Sequence, residues 1–228
     1  MTDRPTPPDS AADAQSLRVA FLDLDHTLLA ADSNQLWLDY LLRRGLVQPQ
    51  QIAAHDRFVD DYGQGRLDFV ALQQFRHAID AALPTTQLAG LRAGFEAEAL
   101  LPAIARDAAA LVDRLHAAGL FTVVVSATRQ ALVQPVADQL GIAHVIGADS
   151  QPELEAHCFG AGKIAHVGHW LRGLGSSLDT LAESWFYSDS HNDLPLLEAV
   201  QHPVAVDPDP QLLRRAQECG WPVMSLRG

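Results

Sequence analysis

Residues 19–28 read Val-Ala-Phe-Leu-Asp-Leu-Asp-His-Thr-Leu, an apolar run that stops abruptly at two carboxylates one residue apart. A short continuous apolar run closed by polar residues predicts a strand covered on both faces, as in a parallel sheet. Open sheets of that kind bind ligands beyond the carboxyl ends of their strands. Asp23 and Asp25 stand at that end, with Thr27 close by. Two acids and a hydroxyl around one short turn need something to offset their charge. A hard cation with oxygen ligands does so, and Mg2+ is the common choice where phosphate is also bound. An Asp-x-Asp pair by itself also fits a helix cap or a solvated turn, so the remaining sequence has to decide.

After Asp25 the pattern turns helical instead of returning to a strand. Leu36, Trp37, Tyr40 and Leu41 recur at helical spacing over 34–44, stopped by Gly45. Further helices are expected over 50–62, 67–81 and 86–100, punctuated by Gly63, Gly65 and Pro84. Beyond Pro102 the two periods alternate: helix 105–118, strand 121–127, helix 129–140, strand 144–148, helix 163–174, strand 185–187, helix 194–200, strand 204–206, helix 211–218 and a short strand at 222–225. This order predicts an α/β fold, a doubly wound parallel sheet core with an inserted all-helical cap domain after the first strand. The expected boundaries are a loose tail over 1–17, rich in Pro, Asp, Ser and Ala, a core made of 18–31 and 101–228, and a cap spanning 32–100.

Composition removes several classes of function. Asp and Glu number 28 against 16 Lys and Arg, a formal charge of -12, so no basic surface invites nucleic acid. No apolar run approaches the roughly 20 residues that cross a bilayer, so no membrane partner is expected. Two cysteines make no disulfide framework, and with no export signal a cytoplasmic setting is expected.

Each later strand delivers polar groups at its carboxyl end. Ser126 closes the second strand, and with Ala127 and Thr128 at a helix start it offers a hydroxyl and backbone N–H groups to an anion; the same residues also fit a plain helix cap. Lys163, after Gly160-Ala-Gly162, falls in the first turn of its helix, where the dipole disfavours a cation unless an anion lies near. The third strand runs into Tyr187-Ser-Asp-Ser-His-Asn-Asp-Leu-Pro-Leu197, with Asp189 and Asp193 four apart across the turn. Capping accounts for part of that signal. It does not explain why acids end both this strand and the first, which meet at one sheet edge if the strands are neighbours.

Asp23-Leu-Asp25-His-Thr27, Ser126-Ala-Thr128, Lys163 and Asp189-Ser-His-Asn192-Asp193 together resemble the four motifs, in order, of the haloacid dehalogenase superfamily of phosphohydrolases. The helical insertion after the first strand resembles the phosphoserine phosphatase-like branch, with its helical cap and Rossmann-like core. Ser188–Pro195 and His202–Val206 are similar to segments of a group of bacterial members, whereas the stretch between Ile146 and Gly162 is shorter than in many relatives.

The resemblance implies a Mg2+-dependent phosphatase acting on a small phosphorylated metabolite. Asp23 would be the nucleophile that forms an aspartyl-phosphate. Asp25 would protonate the leaving alcohol and then activate water. Mg2+ would be held by Asp23, Asp189 and the backbone carbonyl of Asp25. Ser126, Ala127, Thr27 and Lys163 would bind the phosphoryl group, and Asn192 and Asp193 would orient Lys163 or the metal waters from behind. A phosphotransferase using the same intermediate, and a non-catalytic phosphate-binding protein, stay open as alternatives. In the cap, Arg76 follows Leu67-Asp-Phe69 at a spacing similar to that of a carboxylate-gripping arginine in phosphoserine phosphatases, and Asp32 stands nine residues past Asp23, where a relative's acid holds an amine. These two residues imply an amino-bearing ester such as phosphoserine or histidinol phosphate. His157, Cys158, His166 and His169 make no complete zinc spacing.

Overall fold

A computed structural model describes residues 16–228; residues 1–15 of the expected tail lie outside the described residues. Leu17, assigned to the tail on composition, is buried, and its carbonyl accepts the Ala182 N–H. The chain divides into two compact units, one formed by the chain up to Ala30 together with Ile104–Gly228, the other by Ala31–Ala103.

The first unit is built on six parallel strands: β1 (Arg18–Leu22), β2 (Phe121–Val125), β3 (His144–Ile146), β4 (Glu183–Ser188), β5 (His202–Val206) and β6 (Val223–Met224), in the order β3-β2-β1-β4-β5-β6. Strand order reverses at β1: the chain steps outward to β2 and β3 on one side, then returns to add β4, β5 and β6 on the other. The gap beyond the carboxyl ends of β1 and β4 is therefore the topological switch point, where such sheets take their ligands. Leu22 is in register with both Val124 and Tyr187, so β1, β2 and β4 end at one level. Asp23 N–H extends the β1–β4 ladder by donating to the Tyr187 carbonyl at 3.0 Å.

The sequence of β1 and β2 explains their central place. Val19, Ala20, Phe21 and Leu22 are fully buried, as are the three consecutive valines of β2. Val19, Phe21, Phe121, Val123, Val125 and Phe186 alternate onto one face at the period of two expected for strands. There they pack with Val167 and Leu171, and Trp170 lies edge-on to Phe21 and stacked on Phe121. Burying each such side chain contributes about 1.5–3 kcal/mol.

Between β1 and β2 the chain leaves the unit and returns side by side. Leu29 bridges Ile104, and Ala105 N–H donates to the Leu28 carbonyl at 2.9 Å. The segment between them is the second unit, whose helices are α1 (Ser33–Arg43), α2 (Pro49–Gly63), α3 (Phe69–Ala82) and α4 (Leu88–Phe95). Asp32 and Asp68 cap α1 and α3 by accepting backbone N–H groups. Trp37, Tyr40 and Phe95 form its aromatic centre, with ring centroids 5.0–5.8 Å apart. In the first unit α5 (Ala108–Ala117), α6 (Gln130–Leu140), α7 (Gly162–Gly173), α8 (Leu194–Ala199) and α9 (Pro210–Cys219) flank the sheet.

Candidate active site

The apolar strand β1 ends because Asp23 is followed by a wide turn over Leu24–Leu28, closed by Leu29 N–H donating to the Leu24 carbonyl at 2.9 Å. His26, between the two acidic positions and Thr27, has φ +58°, a left-handed conformation rare for a side-chain-bearing residue. The turn brings Thr27 back beside Asp23. Its hydroxyl, fully buried, lies 3.4 Å from Asp23 Oδ2 and 3.3 Å from Asp189 Oδ1, and accepts the Asp189 N–H at 3.1 Å. The acids ending β1 and β4 thus share one hydroxyl. Thr27, expected to bind phosphate, spends these contacts joining the two carboxylates.

Lys163 answers the dipole problem raised by its position. Its ammonium donates to Asp23 Oδ1 and to Asp193 Oδ2, both at 2.7 Å, and its side chain is 3 % exposed. Gly162 immediately before it is required by close approach, since a Cβ there would run into the His157 carbonyl. Asp193 is held in turn by the Ser188 hydroxyl at 2.7 Å. One cation therefore pairs with Asp23 and Asp193, while Asp189 stands beside Asp23 across Thr27. Burial, together with the negative charge of Asp193 and Asp25, pushes Asp23 up to about 7 despite Lys163, and burial with the charges of Asp23 and Asp193 holds Asp189 well above the ordinary carboxylate range. Burial opposes the charge on Lys163, yet its two carboxylate partners raise it well above the usual lysine value.

The second motif lies between β2 and α6. Ser126 and Thr128 are buried, and α6 begins at Gln130 with Arg129 as its cap, one residue beyond the expected start. Ser126 Oγ accepts the Thr128 N–H at 3.1 Å, and Thr128 Oγ1 donates to Asp25 Oδ2 at 2.8 Å. Ala127 lies between them. The short stretch after Ile146 supports this loop: Ser126 N–H donates to the Ile146 carbonyl, Ala148 N–H to the Thr128 carbonyl, and Asp149 accepts Gln130 N–H. Gly147 fits against it because a Cβ would lie 2.9 Å from Gln130 N.

In the fourth motif Asp193, through Lys163, is the residue tied to Asp23, whereas Asn192 is folded onto Ser190, its Nδ2 3.4 Å from Ser190 Oγ. Behind the loop Asp209 carries several bonds. Its Oδ2 accepts His191 N and meets His191 Nδ1, both at 2.7 Å; its Oδ1 caps α9; and its N–H donates to the Asp189 carbonyl at 2.8 Å. Ser188, Thr128 as the partner of Asp25, and Asp209 were missed by sequence reasoning. Only Asp209 carried a signal, as an acid directly before a helix-starting proline.

Within the cap unit, Asp32 and Arg76 both lie near enough to a buried histidine, His55, to act on its charge. Asp32 spends Oδ1 on Asn34 and Gln35 N–H groups. His55 Nδ1 is 2.8 Å from Gln35 Oε1, and Gln35 Nε2 donates to Asp39. No sequence pattern pointed to His55. The histidines weighed against zinc have other partners: His166 Nε2 is 2.7 Å from the Ala156 carbonyl, and His169 pairs with Glu153.

The profile of the haloacid dehalogenase-like hydrolases matches residues 20–198. A histidinol-phosphatase of Neisseria meningitidis is 36 % identical over 92 % of this chain and 99 % of its own. A Bordetella pertussis protein of unknown function is 35 % identical over 92 % and 99 % of the two chains, with a TM-score of 0.83. A phosphoserine phosphohydrolase-like protein of Francisella tularensis, 19 % identical over 93 % and 96 %, shares the fold at a TM-score of 0.65. With its six-stranded parallel core and four ordered motifs, the chain belongs to the haloacid dehalogenase-like hydrolases.

Proposed function

We propose that the protein hydrolyses a small phosphomonoester with Mg2+ through an aspartyl-phosphate on Asp23, and that histidinol phosphate is its first candidate substrate. The observation that carries this reading is the convergence of Asp23 and Asp193 on one buried lysine at the switch point of the sheet, with Asp189 joined to Asp23 through the Thr27 hydroxyl. Three acids against one cation leave negative charge that burial makes costly, and the raised values of Asp23 and Asp189 register that cost. An oxygen-rich pocket with this imbalance suits a hard divalent cation. Among the described residues no three His, Cys, Asp or Glu side chains form a cage by themselves. Asp23, Asp189 and the Asp25 carbonyl would hold the ion. When bound, Mg2+ supplies charge neutralisation at the transferring phosphoryl group.

Asp23 attacks phosphorus with one carboxylate oxygen, while the Lys163 charge favours its ionised form against burial and offsets charge on the phosphoryl oxygens. Asp25, held by Thr128, gives its proton to the departing alcohol oxygen. In the second step it takes a proton from the water that attacks phosphorus, releasing inorganic phosphate and freeing Asp23. Ser126 and the Ala127 N–H are assigned to the phosphoryl oxygens, and Asp32 and Arg76 to recognition of the alcohol's polar groups. The full-length likeness to a histidinol-phosphatase supports an amino-bearing alcohol. Among the described residues no helix is long and apolar enough to cross a membrane, and a cytoplasmic metabolite suits this reading.

The test is phosphate release from histidinol phosphate, phosphoserine and an aryl phosphate, with Mg2+ and after chelation. Release of phosphate from histidinol phosphate with the highest kcat/KM, lost with EDTA and restored by Mg2+, is the expected result. Activity that survives exhaustive chelation would contradict the metal assignment, and preference for phosphoserine would contradict the substrate.

A further inference from the structure

The segment after β6 folds back onto the turn that carries the acidic pair. Leu226 is fully buried, its carbonyl accepts Asp107 N–H at 2.9 Å, and its N–H donates to Asp207 Oδ2 at 3.0 Å. Asp207 itself has φ +43° and sits 3.6 Å from Arg227 Nε. So anchored, Arg227 reaches across the core unit and its Nη2 donates to the His26 carbonyl at 2.8 Å. His26 is the left-handed residue of the Leu24–Leu28 turn, lying between Asp25 and Thr27. A charge-assisted bond to the strained residue of a five-residue turn restrains that turn where it is least favourable on its own.

We infer that Arg227 is a positioning residue, holding the Leu24–Leu28 turn so that Asp25 and Thr27 keep their places relative to Asp23. The inference rests on the reading of Asp23 and Asp25 as nucleophile and acid. Arg227 touches neither carboxylate by the bonds described; it acts through the backbone of His26. Release of the turn therefore affects most the step that depends on where Asp25 delivers its proton.

Two readouts test it. R227A should lower kcat about fivefold on an alkyl phosphate, which needs a proton at its leaving oxygen, and much less on an aryl phosphate, with KM little changed and R227K recovering part of the loss. Hydrogen exchange of metal-free protein should show faster exchange across residues 24–29 in R227A, with D207N intermediate and the surface control R215A, which loses only pairing with Glu198 and Glu218, unchanged. Equal losses on both esters, or exchange in 24–29 no faster than in R215A, would overturn the inference. If the wild-type protein releases phosphate from neither ester, the functional reading fails while exchange still decides the restraint. Should R227A not fold, R227K and D207N carry the same exchange comparison.

Discussion

Lys163 in the first unit and His55 in the second are both buried basic side chains, and the two are treated in opposite ways. Lys163 in the core is enclosed by two carboxylates at 2.7 Å and is held more firmly protonated than a free lysine. His55 in the cap is equally hidden, but its ring meets the neutral Gln35 amide and stacks near Phe75, and burial pulls it below its ordinary value. Burial penalises both charges; the partner decides whether the charge survives. The core accepts an ionic cluster at its centre, as a site for phosphoryl chemistry requires. The cap keeps its buried base neutral.

The strongest way to break this contrast is to remove chemistry from one side only. D23N should reduce phosphate release at least about a thousandfold while far-UV circular dichroism stays unchanged, because it removes the attacking oxygen at constant volume; normal turnover would dismiss Asp23 as nucleophile. K163M should cost about 3–5 kcal/mol in urea unfolding, since it strands Asp23 and Asp193 without a cation. By the same logic H55Q should cost only about 1 kcal/mol, as a neutral polar group replaces another beside Gln35. Equal costs at the two positions would erase the distinction.

Titration sharpens it further. Asp23 has a folded value of about 7 against an ordinary 3.8, so the folded protein holds its proton more tightly than the unfolded chain. Its contribution is therefore greatest below the unfolded value and is lost as pH rises from about 4 to about 7. His55, with a lowered folded value, works the other way: its contribution is present above 6.5 and is lost as pH falls below it. In chelator-treated protein Tm should fall as pH rises from about 4 to about 7, Mg2+ should restore it most above that range, and H55Q should steepen the fall on the acid side, where His55 opposes it. A Tm in EDTA that rises steadily over that range would refute the assignment for Asp23. The smallest effect concerns the thiols. Cys158 is buried and pushed up to about 12, while Cys219 is exposed. Alkylation of the folded protein at pH 8 should label Cys219 and spare Cys158.

The two units also differ in how far their sequences could be read. In the core, a strand buried on both faces leaves an uninterrupted apolar run, and the acids that break it must sit at its end, so Asp23, Asp189 and the sheet were legible. The partners of those acids were less so. Ser188, Thr128 and Asp209 are ordinary residues made specific only by tertiary neighbours: the helix expected over 129–140 spans Gln130–Leu140, but nothing in its sequence announced that Thr128 would bond Asp25. In the cap the helices followed from spacing and caps, but His55 could not be distinguished from an exposed helix histidine. Its burial is set by Gln35 and Phe75, twenty residues away on either side.

The paired crossing at Leu28–Leu29 and Ile104–Ala105 also bears on how quickly the sheet can assemble. Neighbouring strands β1 and β2 are separated in sequence by the whole of Ala31–Ala103. Closing a flexible loop of that length costs about 2 kcal/mol more than closing one of about ten residues. Once the intervening helices have formed, most of that chain is already compact and the remaining closure is short. The order of events then governs the rate: weakening the cap's aromatic centre with W37A should slow refolding of the β1–β2 pair as well as destabilise the helices, a delay visible in pulse-labelled exchange of the β1 amides.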